Sequence, residues 1–138
     1  MNDKCFCDTN LWVYLFSDSE SDKEKSKKSE EIIISGKFLF ISTQVINELS
    51  NVFIKKYKIN EEDLKIHINT MLNIAELDYI TEIHIFKAID LKKKYGFSFY
   101  DALIVASALK SDCKILYSED MHKGLIVDDK LTIINPFI

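Results

Sequence analysis

Apolar positions along the chain fall into short runs and helical stripes that take turns. Cys5, Phe6 and Cys7 form a brief apolar run that stops at Asp8, Thr9 and Asn10, after which Leu11, Trp12, Val13, Tyr14 and Leu15 resume it. The pattern predicts a strand followed at once by a helix. Asp8 would then stand at the carboxyl end of the strand, the edge where open α/β sheets place their ligands. Ser17 to Lys28 is dense in Ser, Asp, Glu and Lys and reads as an exposed loop with solvated lysines at 23, 25, 27 and 28. It leads into a helix of about three turns that carries Ile32, Ile33 and Ile34 and ends at Gly36, a residue suited to the left-handed terminal position.

Phe38 to Ile41 is a second apolar run, consistent with a buried parallel strand, and Ser42 or Thr43 can cap the helix behind it. Val45, Ile46, Leu49, Val52 and Phe53 keep the helical period there. Asn60, with Asp63 three residues on, opens a further helix with Leu64, Ile68, Met71 and Leu72 on one side. Ala75 to Ile80 reads as a short strand. A helix from Thr81 should turn Ile85, Ala88 and Ile89 inward and stop near Gly96, with Lys92, Lys93 and Lys94 at its electronegative end.

The segment Phe99 to Leu109 is apolar on almost every side and predicts a buried helix. Lys114 to Tyr117 supplies a strand, followed by Ser118, Glu119 and Asp120. Leu125 to Val127 and Leu131 to Ile134 form either a terminal hairpin or one parallel strand preceded by an extended loop, and Pro136 ends it. Strands separated by helical segments give an α/β class: a three-layer α/β/α sandwich with a mainly parallel central sheet. Neither repeats nor linkers divide the chain, so residues 1–138 are expected to form one domain.

Composition narrows this picture. With 47% hydrophobic residues there is ample material for a core, yet no run approaches the eighteen or so apolar residues of a membrane span. The N-terminus lacks a basic segment followed by a long apolar stretch, so a cytoplasmic protein with no membrane contact is expected. Cys5, Cys7 and Cys113 are odd in number and fit no paired metal-ligand spacing, as suits reduced core residues. All 18 cations are lysines, and the net charge is -4. A polyanionic partner would therefore need local lysines or bound cations to offset repulsion.

Candidate chemistry lies in the acids. Asp8 and Asp120 each follow a strand, Glu48 sits at the edge of an apolar helix face, and Asp101 falls in the first turn of the buried helix. Each also has a plain structural role open to it. Asp8 could cap a helix, Glu48 could be a solvated acid, Asp101 completes a capping box with Ser98, and Asp120 could be a turn residue. In a parallel sheet, however, the ends after Asp8, Ile41 and Tyr117 open on one edge, where these acids would gather. Carboxylates so placed raise one another's pKa unless cations hold them, and oxygen-only donors suit Mg²⁺ or Mn²⁺. Such a site can hydrolyse a phosphodiester, because the metal orients and polarises a water and neutralises developing charge. Ser118 could position a ligand or water, or cap a turn. His67, His84 and His122 share no ligand spacing and read as surface or packing residues.

Asp8-Thr9-Asn10 after the first strand, Glu48 in the helix after the second, Ser98 to Leu109 with Asp101, and Ser118-Glu119-Asp120 near the end together resemble the PIN domain. The compact length is similar to VapC-like toxins of bacterial toxin–antitoxin pairs. The resemblance spans essentially the whole chain and implies a Mg²⁺- or Mn²⁺-dependent endoribonuclease acting on RNA. It further implies a homodimer, neutralised by a small antitoxin whose tail enters the active-site groove. It carries catalytic and metal-binding roles onto Asp8, Glu48, Asp101 and Asp120, with Ser118 and Asn10 as accessories. Many members show a Thr, an Asn two residues later and then a further Asp. Here Asp120 takes the Asn position and Lys123 the later one, which leaves the fourth corner open between Asp120 and Glu119. The lack of arginine leaves phosphate contacts to lysines, which are less geometrically selective.

Two readings from other classes remain open. A receiver-type phosphoacceptor domain also gathers acids around Mg²⁺ but wants adjacent acids early in the chain, where this sequence offers only Asn2 and Asp3. A catalytically silent binding module would keep the fold and use the acids for stability alone. A haloacid-dehalogenase-like phosphatase needs an Asp two positions after its nucleophile, where this chain has Asn10.

Overall fold

The computed structural model describes residues 4–35 and 38–138; Asn2, Asp3 and the helix end expected at Gly36 lie outside the described residues. The chain runs β1 (Lys4–Cys7), α1 (Thr9–Phe16), a 3₁₀ turn (Glu20–Asp22), α2 (Lys23–Ile33), β2 (Phe38–Ser42), α3 (Thr43–Lys55) and α4 (Glu61–Ile74). It continues with β3 (Glu76–Asp78), α5 (Glu82–Tyr95), α6 (Phe99–Lys110), β4 (Ile115–Tyr117), β5 (Ile126–Val127) and β6 (Leu131–Ile134).

The strand order is β3-β2-β1-β4-β6-β5, and the helices flank the sheet as expected of an α/β/α sandwich. Every pairing is parallel except β5 with β6. β1 is the pivot: Cys5 is in register with Leu39 of β2 on one side and Ile115 of β4 on the other. The chain leaves β1 for β2 in one direction and reaches β4 in the other, so the strand order reverses between β1 and β4. Crevices for ligands form at such a reversal, at the carboxyl ends of the strands.

β1 is flanked on both sides, which requires apolar residues on both faces, and Cys5, Phe6 and Cys7 are accordingly buried. All three cysteines are buried free thiols. Trp12 of α1 is fully buried and satisfies its indole N–H on the Cys7 carbonyl at 3.2 Å, tying the helix to the strand before it. α6 is buried from Ala102 through Ala108, as its unbroken apolar character demands. Among the described residues no helix is long and apolar enough to cross a membrane.

Three local expectations are corrected. Lys23 to Lys28 are helical rather than loop, because the preceding turn is fastened: the Asp22 carboxylate accepts from Ser17 Oγ at 2.6 Å and from Tyr57 Oη at 2.8 Å. In α5 the inward face is His84, Ala88 and Leu91, whereas Ile85 and Ile89 are 41% and 50% exposed. Apolar residues occupy several faces of that helix, and polar partners decide the rotation. The His84 ring accepts the Thr81 backbone N–H at 3.0 Å and meets Asp78 at 2.7 Å, while Ser107 donates to the same carboxylate at 2.7 Å. A buried imidazole with both nitrogens engaged carries no desolvation penalty that would expel it. Leu72 of α4 is exposed rather than inward. At the carboxyl end the hairpin alternative is the one realised, by β5 and β6, and β6 in addition pairs in parallel with β4.

The burial contrast gives a measurable expectation. Ile104→Ala, at a fully buried position of α6, should cost about 2–5 kcal/mol in denaturant unfolding with the slope unchanged. Ile89→Ala should stay within about 0.5 kcal/mol of wild type, as exposed substitutions do. Equal losses for the two would contradict this assignment of faces.

Candidate active site

Asp8 leaves β1 in extended conformation (φ -67, ψ 167) and caps α1, its Oδ1 accepting the Thr9 N–H at 2.7 Å. Ser118, the first residue past β4, donates its hydroxyl to Asp8 Oδ2 at 2.7 Å. The strand register makes this contact, since Cys7 is paired with Tyr117 and the Asp8 N–H bonds the Tyr117 carbonyl at 2.9 Å. Asp8 is only 4% exposed, and burial pushes its carboxyl from 3.8 up to about 7. The bonds from Ser118 and Thr9 oppose the rise, and the charges of Glu48 and Asp101 add to it.

Glu48 reaches the same edge from α3, whose N-cap is the Ser42 side chain. Its two oxygens are held separately: Oε1 accepts from Thr9 Oγ1 at 2.9 Å and Oε2 from Gln44 Nε2 at 2.9 Å, one turn back on the same helix. Asp120 arrives from the segment after β4 and accepts from Asn10 Nδ2 at 3.1 Å. Asp101 lies in the first turn of α6, where its N–H bonds Ser98 Oγ at 3.2 Å. Partial burial raises the Asp101 carboxyl above its ordinary value, Ser98 opposes this, the Asp120 charge reinforces it, and His122 counters.

Asp8, Glu48, Asp101 and Asp120 line one cleft of about 300 Å³ together with Thr9, Asn10, Asn51 and Val52. Other hollows exist, including a more apolar one of about 250 Å³ between α5 and α6. The acid-lined cleft combines converging carboxyls with a strongly perturbed one, the combination that marks functional sites. Glu119 lies elsewhere: its Oε1 accepts from Tyr14 Oη at 2.5 Å, and its Oε2 pairs with the Lys25 ammonium. Ser118 and Asn10 each bond one of the cleft acids. The histidines stay outside the cleft lining; His67 stacks on Phe16 at 4.3 Å, His84 is buried, and His122 contacts the Phe97 ring at 5.5 Å.

Besides Thr9, which the sequence named only within Asp8-Thr9-Asn10 and without a role, two polar residues that the sequence did not single out serve this cleft. Thr9 and Gln44 hold Glu48, and Asn51 lines the wall. Gln44 and Asn51 stand four residues before and three after Glu48, so helical spacing alone marks them as sharing its face.

The donor set can be tested against Mg²⁺. Among the described residues no three His, Cys, Asp or Glu side chains form a ready-made cage. Mg²⁺ does not require one, because it retains several waters and is usually held by one or two carboxylates plus substrate phosphate. An all-oxygen cleft with a buried carboxyl under the repulsion of its neighbours fits such an ion.

The state of Asp8 makes stability depend on pH. Its folded value of about 7 lies above the ordinary 3.8, so the proton-bound form is favoured by folding. This contribution is fully present below about pH 4 and is lost as pH rises through about 7, a swing on the order of 4 kcal/mol. Asp8→Asn, which stays neutral and can still accept from Thr9, should melt above wild type in chelator at pH 8. The gap should close towards pH 4. Coincident melting temperatures at pH 8 would contradict the buried-carboxylate account.

No curated protein sequence matches this chain. Solved structures share its fold. It superposes on VapC20 of Mycobacterium tuberculosis, a sarcin–ricin loop cleaving toxin, with TM-score 0.69 at 16% identity over 84% of this chain and 89% of that one. A toxin–antitoxin complex from Klebsiella pneumoniae gives TM-score 0.71 at 18% identity, covering 96% of this chain and 98% of the other. VapBC2 from Rickettsia felis, bound to a DNA fragment from its promoter, gives 0.66 at 17% identity over 96% and 99%. The profile of the PIN domain matches residues 5–122, a span that opens on β1 and closes just beyond Asp120. By that match the chain belongs to the PIN domain family.

Proposed function

We propose that this protein is a Mg²⁺- or Mn²⁺-dependent endoribonuclease that hydrolyses RNA phosphodiester bonds, and that it is the toxin of a type II toxin–antitoxin pair. The observation that carries the reading is the cleft itself, where Asp8, Glu48, Asp101 and Asp120 arrive from four separate parts of the fold. These four side chains would hold the cation. When bound, it would polarise the attacking water and neutralise charge on the phosphate and leaving oxygen.

The chain's own groups prepare that site. Ser118 and the Thr9 N–H fix both oxygens of Asp8, Thr9 and Gln44 fix both oxygens of Glu48, and Asn10 steadies Asp120. Geometry set in advance of substrate binding saves the reorganisation that would otherwise slow the reaction. Lysines would supply the phosphate contacts. The similarity to a sarcin–ricin loop cleaving toxin and to toxin–antitoxin complexes supports RNA as substrate and a small antitoxin protein as partner. A homodimer and a cytoplasmic location belong to the same reading.

Two alternatives fare worse. If the acids served only stability, Asp8 would not be lifted to about 7 by its own burial, because that shift costs folding free energy at neutral pH. The receiver reading wants adjacent acids early in the chain, and the nearest to such a pair, Asn2 and Asp3, precedes β1.

Asp101→Asn tests the proposal, since Asp101 is half-buried and its substitution should leave the fold intact. Cleavage of an end-labelled RNA pool should fall to background for this variant and for wild type in chelator, with unchanged circular dichroism. Wild-type cleavage rates in purified Asp101→Asn would overturn the reading. Calorimetric titration of wild type with Mn²⁺ should show binding, and none would favour the silent module.

A further inference from the structure

Lys25 stands in a serine- and lysine-rich stretch with the look of solvated surface, but the fold spends it on one acid. Its ammonium pairs with Glu119 Oε2, approaches Tyr14 Oη at 3.5 Å, and lies over the rings of Tyr14 and Phe137 at 5.1 and 5.7 Å. The other oxygen of Glu119 accepts from Tyr14 Oη at 2.5 Å, and the Glu119 carbonyl accepts from Asn135 Nδ2 at 3.2 Å. Residue 119 is thus gripped at both carboxylate oxygens and at its backbone.

Its neighbours in sequence belong to the cleft. Ser118 bonds Asp8 on one side and Asp120 bonds Asn10 on the other. Asn10 and Tyr14 sit one turn apart on α1 and hold consecutive residues, 120 and 119. α1 therefore acts as a ruler along this segment, and Lys25 of α2 closes the grip from behind. The pair also has an electrostatic effect. Glu119 left unpaired would be a further carboxylate beside four that already line one cleft.

We propose that Lys25 is a positioning residue of the site: through Glu119 and Tyr14 it holds the Ser118–Asp120 segment so that Asp120, and not Glu119, is the fourth acid offered to the cation. This rests on the metal-dependent nuclease reading and assigns the corner that reading leaves open. As a simple surface ion pair, with side chains 43% and 19% exposed, Lys25–Glu119 would contribute little to stability. The consequence to look for is therefore metal affinity.

Mn²⁺ titration of the intact protein separates the possibilities. Lys25→Met should weaken Mn²⁺ binding about tenfold, the lower end of the cost of losing a group that orients a metal ligand without touching the metal. Lys25→Arg should restore it, and RNA cleavage by Lys25→Met should recover as Mn²⁺ is raised. Because Lys25 acts through Glu119, adding Lys25→Met to Glu119→Gln should cause no further loss. A merely structural role would lower the melting temperature and leave the Mn²⁺ affinity of the folded protein alone. That result, or tighter Mn²⁺ binding by Lys25→Met, would overturn the positioning role while leaving the nuclease reading standing. A wild-type protein that neither binds Mn²⁺ nor cuts RNA would remove both.

Discussion

The burial of one carboxyl group, that of Asp8, is the constraint on which the site depends. β1 lies between β2 and β4, so the residue that follows it emerges into a crevice already walled by protein. Parallel pairing then sends the ends of β2 and β4 to the same edge, and with them the helix that carries Glu48 and the segment that carries Ser118 and Asp120. The acids meet because the strands point one way. An antiparallel β2 would have carried Glu48 to the opposite edge, and an antiparallel β4 would have carried Asp120 there.

Much of this was legible in the sequence, for a reason that particular residues make plain. Runs such as Phe38 to Ile41 and the continuous apolar surface of α6 admit only burial, and once the strands are parallel the edge assignment of Asp8, Glu48 and Asp120 follows. The rotation of α5 was not legible. Apolar residues offer that helix several faces, and the choice is made by Asp78, which bonds His84 from another element and is itself held by Ser107. The start of α2 was hidden in the same way, because a stretch of Ser, Asp and Lys resembles loop until Tyr57 and Ser17 are seen fastening Asp22.

The fourth acid shows where sequence reasoning stops. Glu119 and Asp120 are adjacent and chemically alike, so no local rule ranks them. What separates them is the company each keeps: Glu119 finds Lys25 and Tyr14, 94 and 105 positions away, whereas Asp120 finds Asn10, 110 positions away. Such pairings follow only from the packing of α1 and α2 against the end of the sheet.

Local capping and convergence on the cleft are not rival explanations of the same acids, because their magnitudes differ. Asp8 caps α1 and Asp101 stands in the first turn of α6, positions where the helix dipole favours negative charge by about 0.3–1 kcal/mol. If capping dominated, both carboxyls would sit below their ordinary values. Both are instead pushed up, Asp8 to about 7, so burial and mutual repulsion outweigh dipole and hydrogen bonds together. The hydrogen bonds from Thr9, Ser118 and Ser98 orient these carboxyls and stabilise their charge only in part. A proton supplies neutrality at low pH, and in the metal-dependent reading proposed above a divalent ion would take that place at neutral pH.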